Sequence, residues 1–346
     1  MKKYADLVAF LSLSKHRLSP LLVLTHDYPD PDALASAYAV WFLAREVFGI
    51  QTRIAYGGEI GRDENKEMVR RLNLPVHPLK AGDLEHHKSF ALVDTQPSFE
   101  NNLFPQRRRA TIVIDQHAAA KKPKAEIAII DVSAGATSVL LAREFLANNI
   151  EMPASLATAL VYGILTDTLN LHRVGQSDAK EMYMVLLPKC DLAALAHIQN
   201  PSRPRRFFAE FAHGLEVATV LDGLIIAHLG HVENPDFVSQ MADFLLTCRG
   251  VSWSFCTGRV HGNLHVSLRS ANLSLEVVSA LQMVLHGIGQ GGGHGRIAGG
   301  KLSVRAPQGS AAWDKLETLL TERMAEQLRL RTDARPRPLV RAHDHH

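Results

Sequence analysis

The chain has 346 residues, of which 46% are hydrophobic, and its formal net charge is +3. This length favours two domains with packed cores, and the small charge argues against a dedicated duplex-DNA binder. The apolar runs are far shorter than the roughly 20 residues that cross a bilayer, and no signal-type segment opens the chain, so we expect a cytoplasmic protein without a membrane partner. Cys190, Cys248 and Cys256 lack CxxC spacing, which fits a reducing compartment and excludes a thiolate zinc site.

The N-terminal half alternates between apolar strands and helical segments. A helix over 32–48 follows the first strand, and further helices are predicted over 135–149, 153–167 and 177–187. The predicted strands are 21–25, 52–56, 90–94, 111–115 and 127–131. This alternation is typical of an α/β domain on a mostly parallel sheet, which we assign to residues 1–190.

The pattern changes after a basic, proline-rich stretch at 200–206, so residues 191–214 are predicted to be a linker. Residues 215–330 predict a second, smaller α+β domain with hairpins at Asp222–Gly223 and His261–Gly262. Its three helices, over 235–246, 274–286 and 311–330, are expected to cover one face of the sheet. Residues 331–346 are expected to be a disordered tail.

Acidic and histidine side chains follow the apolar segments of the first domain. Because the carboxyl ends of parallel strands meet at one edge of a sheet, we expect these side chains to lie together. Carboxylate and imidazole groups are the ligands that a hydrolytic site with two divalent cations needs. The residues concerned are His26, Asp30, Asp32, Asp94, Asp115, His117 and Asp167.

The first of these segments is stiffened by proline. Pro29 and Pro31 disfavour helical backbone at Tyr28 and Asp30, so the loop is extended and its polar groups are held ready for a ligand. Taken alone, the segment has an equally simple alternative, which is an ordinary proline turn with an aspartate cap on the following helix. The several other segments that end in acid favour the ligand-binding interpretation.

With two C-terminal motifs, this pattern resembles the DHH phosphoesterase family with its DHH-associated C-terminal domain. The two-domain layout is most similar to the nanoRNase/pAp phosphatase branch, which also contains dinucleotide phosphodiesterases. The motifs that carry the resemblance are His26-x-x-x-Asp30-x-Asp32, Asp94, Asp115-Gln116-His117, 163–168, 267–270 and 291–299.

The resemblance implies a centre with two manganese ions, and magnesium is an alternative. It places His26, Asp30 and a bridging Asp94 on one cation, and Asp32, Asp94 and Asp167 on the other. A hydroxide between the cations would attack phosphorus. Asp115 would orient neighbouring groups, and His117 would donate a hydrogen bond or a proton to the substrate.

One departure concerns the third motif, where the family has Asp-His-His and this chain has Gln116 in the middle position. That histidine is expected on the second cation, so Gln116 is either a weaker amide-oxygen ligand or leaves the second site half-filled or empty. We expect Gln116→His to raise metal affinity or turnover. The departure also supports an alternative function, a nucleotide- or RNA-binding sensor with weakened catalysis.

The C-terminal motifs predict the substrate-binding groups. Consecutive glycines allow close approach of backbone amides to a phosphate, and arginine and histidine add charged donors. The resemblance implies short RNA oligonucleotides, pAp, or linear or cyclic dinucleotides as substrates, without long duplex DNA, and leaves homodimerisation open. The candidates are Ser267, Arg269, Gly291, Gly292, Gly293 and His294, with Arg259 and Arg296 as further donors.

Overall fold

The computed structural model describes residues 6–119, 121–172, 177–272, 276–304, 306, 310–330 and 336–340. The chain divides into two compact units, Met1–Ser202 and Arg203–His346. Within the described ranges, no helix combines the length and apolar character needed to cross a membrane.

The first unit is built on six parallel strands, which confirms the predicted α/β class. The sheet order is β3-β2-β1-β4-β5-β6. The predicted strands are confirmed to within two residues at each end. The three-residue strand β3 was not predicted from the sequence. The strands are β1 (Leu21–Leu24), β2 (Thr52–Tyr56), β3 (Val76–Pro78), β4 (Ser89–Val93), β5 (Ala110–Asp115) and β6 (Ala125–Ile130).

In the described part of the first unit, eight α-helices accompany this sheet, and one of them is almost completely buried. Ten of the twelve residues of α2 are buried, and α2 continues into a π-helical turn at Leu43–Val47. It packs in a large apolar core with α5 and α6. The helices are α1 (Leu7–Leu18), α2 (Pro31–Phe42), α3 (Asp63–Arg71), α4 (Ala81–His86), α5 (Thr137–Ala147), α6 (Ala154–Asp167), α7 (Ser177–Leu186) and α8 (Leu192–Gln199).

The chain direction across the sheet reverses at β1. From β1 the chain proceeds outward to β2 and β3, and then crosses to β4 on the opposite side of β1. In open α/β sheets, such a switch point leaves a crevice beyond the carboxyl ends of the two central strands. The loop after β1 and the residue after β4 are therefore brought to the same crevice.

The second unit contains a seven-stranded mixed sheet with the order β11-β12-β10-β9-β8-β7-β13. The strands β8 and β9 pair in parallel, and the other pairs are antiparallel. The elements are α9 (Arg205–Val217), β7 (Thr219–Leu221), β8 (Leu224–His231), α10 (Asp236–Leu245), β9 (Trp253–Val260), β10 (Asn263–Ser270), α11 (Val277–Leu285), β11 (Gln290–His294), β12 (Ile297–Ser303), α12 (Ala311–Gln327) and β13 (Arg337–Pro338).

Helices cover both faces of this sheet, whereas the sequence predicted cover on one face. Leu224 and Ile226 lie in a core with α11 and α12, while Ile225 and Ala227 lie in a separate core with α10. Consecutive residues of a strand point to opposite faces, so a run of four apolar residues in β8 requires apolar partners on both sides.

The predicted linker 191–214 differs from the structure because most of it is helical. The helix α8 belongs to the first unit through buried Leu195 and Ile198, and α9 opens the second unit. The predicted disordered tail also differs in part, since β13 pairs with the open edge of β7. Residues 331–335 and 341–346 of that tail lie outside the described residues.

His228 gives the second unit a predictable pH response. Its ring nitrogens contact the hydroxyls of Thr257 (2.8 Å) and Thr321 (2.9 Å), as suits a neutral imidazole. Burial lowers the pKa of His228, an effect that Glu317 opposes and Arg259 reinforces. As pH falls below about 6.5, the ordinary histidine pKa, the unfolded chain binds a proton that the folded chain resists.

The free energy of unfolding is therefore expected to fall between neutral pH and about pH 5, with each unit of pKa difference corresponding to about 1.4 kcal/mol. His228→Gln retains hydrogen-bonding groups and removes the titration, so its stability should depend less on pH. Denaturant midpoints for both proteins across this pH range measure the difference. Equal slopes would contradict the role given to His228.

Candidate functional site

His26, Asp30 and Asp94 converge in the crevice at the switch point. Nε2 of His26 lies 3.8 Å from Oδ1 of Asp30 and 3.5 Å from Oδ2 of Asp94. One ligand atom from each of the three residues lies within 4.8 Å of the others. Nδ1 of His26 donates to the carbonyl of Asp27 at 2.8 Å, which leaves Nε2 as the nitrogen with a lone pair in the neutral ring.

The backbone around these ligands is fixed by local structure. Asp30 is the N-cap of α2, and its Oδ1 accepts from the N–H of Ala33 at 3.0 Å. Asp94 follows β4 with a φ of +57°, a left-handed conformation that aspartate and asparagine adopt more readily than most residues. Its Oδ1 accepts from the hydroxyl of Thr137 at 2.7 Å. Strained backbone of this kind is concentrated at ligand sites.

The electrostatics of this group favour positive charge. Burial alone would lower the pKa of His26, but Asp30 and Asp94 raise it well above its usual range. Burial would raise the pKa of Asp30, but the hydrogen bond and charge of His26 and the N–H of Ala33 lower it to about 2. The two carboxylates that raise this pKa would favour a divalent cation in the same place.

The donor set fits a divalent cation. Two carboxylates and one imidazole nitrogen suit manganese or magnesium better than a soft, thiolate-seeking metal. Asp94 is buried, and burial raises its pKa despite the opposing effect of His26. A cation would remove this cost because it balances the buried carboxylate charge.

Asp32 lies close by but is bound to the protein itself. Its two oxygens accept from the backbone N–H groups of Thr137 (2.6 Å) and Ser138 (2.8 Å), which begin α5. The side chain is fully buried, and burial, followed by the charges of Asp94 and Asp30, raises its pKa to about 8. Asp32 therefore serves as an anchor between α2 and α5.

Close approach of α6 to Asp32 requires glycine at position 163. A Cβ atom on Gly163 would lie 2.5 Å from Oγ of Ser138 and 3.0 Å from Cα of Asp32. We expect overpacking in Gly163→Ala to lower the free energy of unfolding by about 1–3 kcal/mol. The higher helix propensity of alanine recovers about 1 kcal/mol of this loss. Thermal melts should show a Tm lowered by several degrees.

Gly82→Ala is the matched control, because Gly82 is also helical and its added Cβ would meet only the His86 side chain, at 3.3 Å. This control gains helix propensity without the clash, so its Tm is expected to equal or exceed that of the wild type. A Gly163→Ala variant as stable as wild type would show that α6 and α2 can separate without penalty.

Asp115 and His117 form a hydrogen-bonded pair beside Asp94. Oδ1 of Asp115 accepts from both the backbone N–H (3.1 Å) and Nδ1 (2.8 Å) of His117. The hydrogen bond to Asp115 raises the pKa of His117 to about 9, against the effect of burial and with further help from Asp94. The contact with Asp115 thus favours the protonated ring, which can donate to an anion.

Gln96 is a member of this site that the sequence analysis missed. Its side chain is fully buried, and Nε2 donates to Oδ2 of Asp115 (2.8 Å) and to the carbonyl of His117 (2.9 Å). Its position two residues after Asp94, directly past a strand end, is the only signal that could have drawn attention to it. Gln96 fixes the Asp115 carboxylate from the side opposite His117.

Gln116 and Asp167 contact each other. Nε2 of Gln116 donates a short hydrogen bond to Oδ2 of Asp167, the last residue of α6. The donor assignment follows from chemistry, since a carboxylate oxygen only accepts. Contacts thus link six of the predicted residues, and a separate contact joins Asp167 to Gln116. The six linked residues are His26, Asp30, Asp32, Asp94, Asp115 and His117. Within the described residues, His26–Asp30–Asp94 and Asp94–Asp115–His117 are the two groups whose donor atoms lie close enough together to share a metal ion.

The predicted substrate-binding residues all lie in the second unit. Arg269 is buried and donates to Asp243 and to the carbonyls of Leu268 (3.1 Å) and Ala298 (3.3 Å). Oγ of Ser267 is buried and has no hydrogen-bond partner among the residues that the structure describes. Arg259 pairs with Asp314 and Glu317 on α12, which indicates a structural role.

The consecutive glycines that were expected to approach a phosphate lie in a strand. Gly291, Gly292 and Gly293 belong to β11, which pairs with β12 at the edge of the sheet. A Cβ on Gly293 would lie 2.2 Å from the carbonyl oxygen of Ile297, so close strand packing explains that glycine. His294 is the last residue of this strand, and its side chain lies outside the described part of the structure.

Residues 20–164 match the DHH family, N-terminal domain. This part of the chain is a DHH domain. It begins just before β1 and ends within α6, and so contains His26, Asp30, Asp32, Asp94 and the Asp115–His117 motif. The resemblance derived from the sequence is thereby confirmed for the first unit.

Relatives extend this result. An uncharacterized protein of Methanocaldococcus jannaschii is 34% identical over 289 residues, which are 83% of this chain and 59% of that protein. A probable manganese-dependent inorganic pyrophosphatase of Streptococcus equi subsp. zooepidemicus is 30% identical over 168 residues, which are 44% of this chain and 50% of that protein. The chain thus spans little more than half the length of these curated relatives.

A solved structure shares the fold. The crystal structure of an exopolyphosphatase-related protein from Bacteroides fragilis superimposes with a TM-score of 0.70, covering 95% of this chain and 99% of its own. At 14% sequence identity, the likeness is one of fold.

Proposed function

We propose that this protein is a divalent-cation-dependent phosphoesterase. The observation that carries the proposal is the His26–Asp30–Asp94 ligand group at the switch point, with the His117 imidazolium 3.6 Å from Asp94. A cation and a cationic proton donor side by side suit the hydrolysis of a phosphate ester, in which negative charge accumulates on oxygen.

Each residue has a role that follows from its contacts. His26, Asp30 and Asp94 hold the cation, which when bound lowers the pKa of water and offsets charge on phosphoryl oxygens. His117 donates a hydrogen bond to the phosphate and a proton to the leaving oxygen. Asp115 keeps His117 charged and oriented, and Gln96 keeps Asp115 in place.

The proposed substrates are small nucleotides, namely short oligoribonucleotides, pAp, and linear or cyclic dinucleotides. Support comes from the motifs at 267–270 and 291–299, which resemble those of the nucleotide-cleaving branch of the family. Manganese is the proposed cation, because a curated relative with 30% identity is described as manganese-dependent. Magnesium is the alternative for the same hard donors.

A substrate panel with metal quantification on one preparation tests the proposal. The panel holds pApA, pAp, a cyclic dinucleotide and inorganic pyrophosphate, each with added manganese. Turnover of a nucleotide supports the phosphoesterase, and nucleotide binding without turnover would support the sensor instead. Pyrophosphate belongs in the panel because a pyrophosphatase matches 44% of this chain, and selective turnover of pyrophosphate would overturn the nucleotide assignment.

A further inference from the structure

The side chains that the family resemblance places on a second cation are engaged within the protein. Gln116 donates to Asp167, and both oxygens of Asp32 accept backbone N–H groups of α5. Among the residues that the structure describes, neither Asp32 nor Asp167 belongs to a group of three acidic, histidine or cysteine residues whose ligand atoms all lie within 4.8 Å of one another. The second donor set is therefore not assembled as the first one is.

The chemistry of Gln116 explains why. The amide nitrogen has no lone pair for a metal, and its N–H is directed at the Asp167 carboxylate that would otherwise serve as a ligand. Turning the amide would place its oxygen against Oδ2 of Asp167, which replaces a hydrogen bond with a repulsive oxygen pair. A histidine in this position would instead offer an imidazole lone pair to a cation.

The other possible location for a second cation is the group formed by Asp94, Asp115 and His117. Here Nδ1 of His117 donates to Asp115, so this nitrogen carries a proton and is not a metal ligand. The remaining oxygen of Asp115 accepts from Gln96. In this group His117 is therefore the proton donor, and Asp115 and Gln96 hold it in place.

We propose that the centre holds one divalent cation, at His26, Asp30 and Asp94, and that the Gln116–Asp167 hydrogen bond takes the place of a second. This inference rests on the metal-dependent site of the proposed function. It deepens that function by making phosphate hydrolysis here a one-metal reaction.

The test counts manganese on the full-length protein without substrate. Equilibrium dialysis against manganese, followed by elemental analysis, is expected to give one ion per chain for wild type and a loss of that ion in Asp94→Asn. Gln116→His is expected to bind a second ion. Its affinity for that ion should exceed the wild-type affinity by more than the roughly 10–100-fold that a residue hydrogen-bonded to a metal ligand contributes. Electron paramagnetic resonance should show an isolated Mn²⁺ in wild type and an exchange-coupled pair in Gln116→His.

Gln106→His is the matched control, because it adds a histidine at an exposed glutamine and should leave the count at one. Two ions in wild type, or an ion retained in Asp94→Asn, would overturn the proposal. One ion in a folded Gln116→His would overturn the part given to Gln116. Turnover is measured separately, so a chain with one manganese and no hydrolysis would refute the phosphoesterase and not the metal count.

Discussion

Asp94→Asn is expected to lower kcat/KM by at least about 10³-fold and to remove the bound cation. Loss of the Asp94 carboxylate takes away several kcal/mol of charge stabilisation, and each 1.36 kcal/mol is tenfold in rate. Asparagine is the best replacement for this test, because it tolerates the φ of +57° at this position and preserves the side-chain volume. The measurements are steady-state kinetics on the best substrate of the panel and manganese content.

The folded state provides the control for this variant. Burial raises the pKa of Asp94, so removal of its charge should leave the metal-free Tm unchanged or raised. Asp27→Asn is the matched substitution, since Asp27 directly follows His26 and contributes no side-chain atom to the ligand group. It should keep wild-type kinetics and metal content. Full activity in Asp94→Asn would exclude this group as the metal centre.

His117→Gln is expected to lower kcat by about 10²–10⁴-fold while the protein retains its cation. Glutamine can still donate to Asp115, but it carries no charge and releases no proton. The loss should shrink on an aryl phosphodiester with a nitrophenolate leaving group, which departs without protonation. A comparison of the two substrates therefore isolates proton donation from binding.

Gln96→Met offers a graded comparison for His117. It removes the N–H that holds Asp115 with little change of side-chain shape, so a smaller loss of about 10–100-fold is expected. If His117→Gln loses manganese along with activity, His117 is a metal ligand and its assignment as a donor is wrong. If Gln96→Met loses more activity than His117→Gln, then Gln96 does not act merely as a support for His117 through Asp115.

The ligand group was predictable from the sequence because each of its members ends or follows an apolar run. A parallel sheet collects such positions at one edge, so His26, Asp30 and Asp94 could be placed together from the sequence alone. The supporting contacts could not, since Thr137 lies 43 residues from Asp94 and looks like an ordinary helix start. Partners that come from distant backbone, as for Asp32, leave no mark in local composition.

In the second unit, the prediction failed where strand pairing outweighed local propensity. The three glycines of β11 all pair with β12, although glycine disfavours strands. Tertiary pairing also draws Arg337 and Pro338 onto β7, although the segment is rich in residues that disfavour strands. Hairpin turns at Asp222–Gly223 and His261–Gly262 were confirmed, because both pairs have the positive φ angles that such turns require.

The first turn of α5 has a consequence for the stability of this protein when no cation is bound. Its backbone N–H groups donate to Asp32, and the Thr137 hydroxyl donates to Asp94. The positive end of the helix dipole faces both carboxylates. Mutual repulsion between those acids is thus partly balanced by the scaffold itself. Chelation should accordingly yield an intact apoprotein, which regains its ion on simple addition without a refolding step.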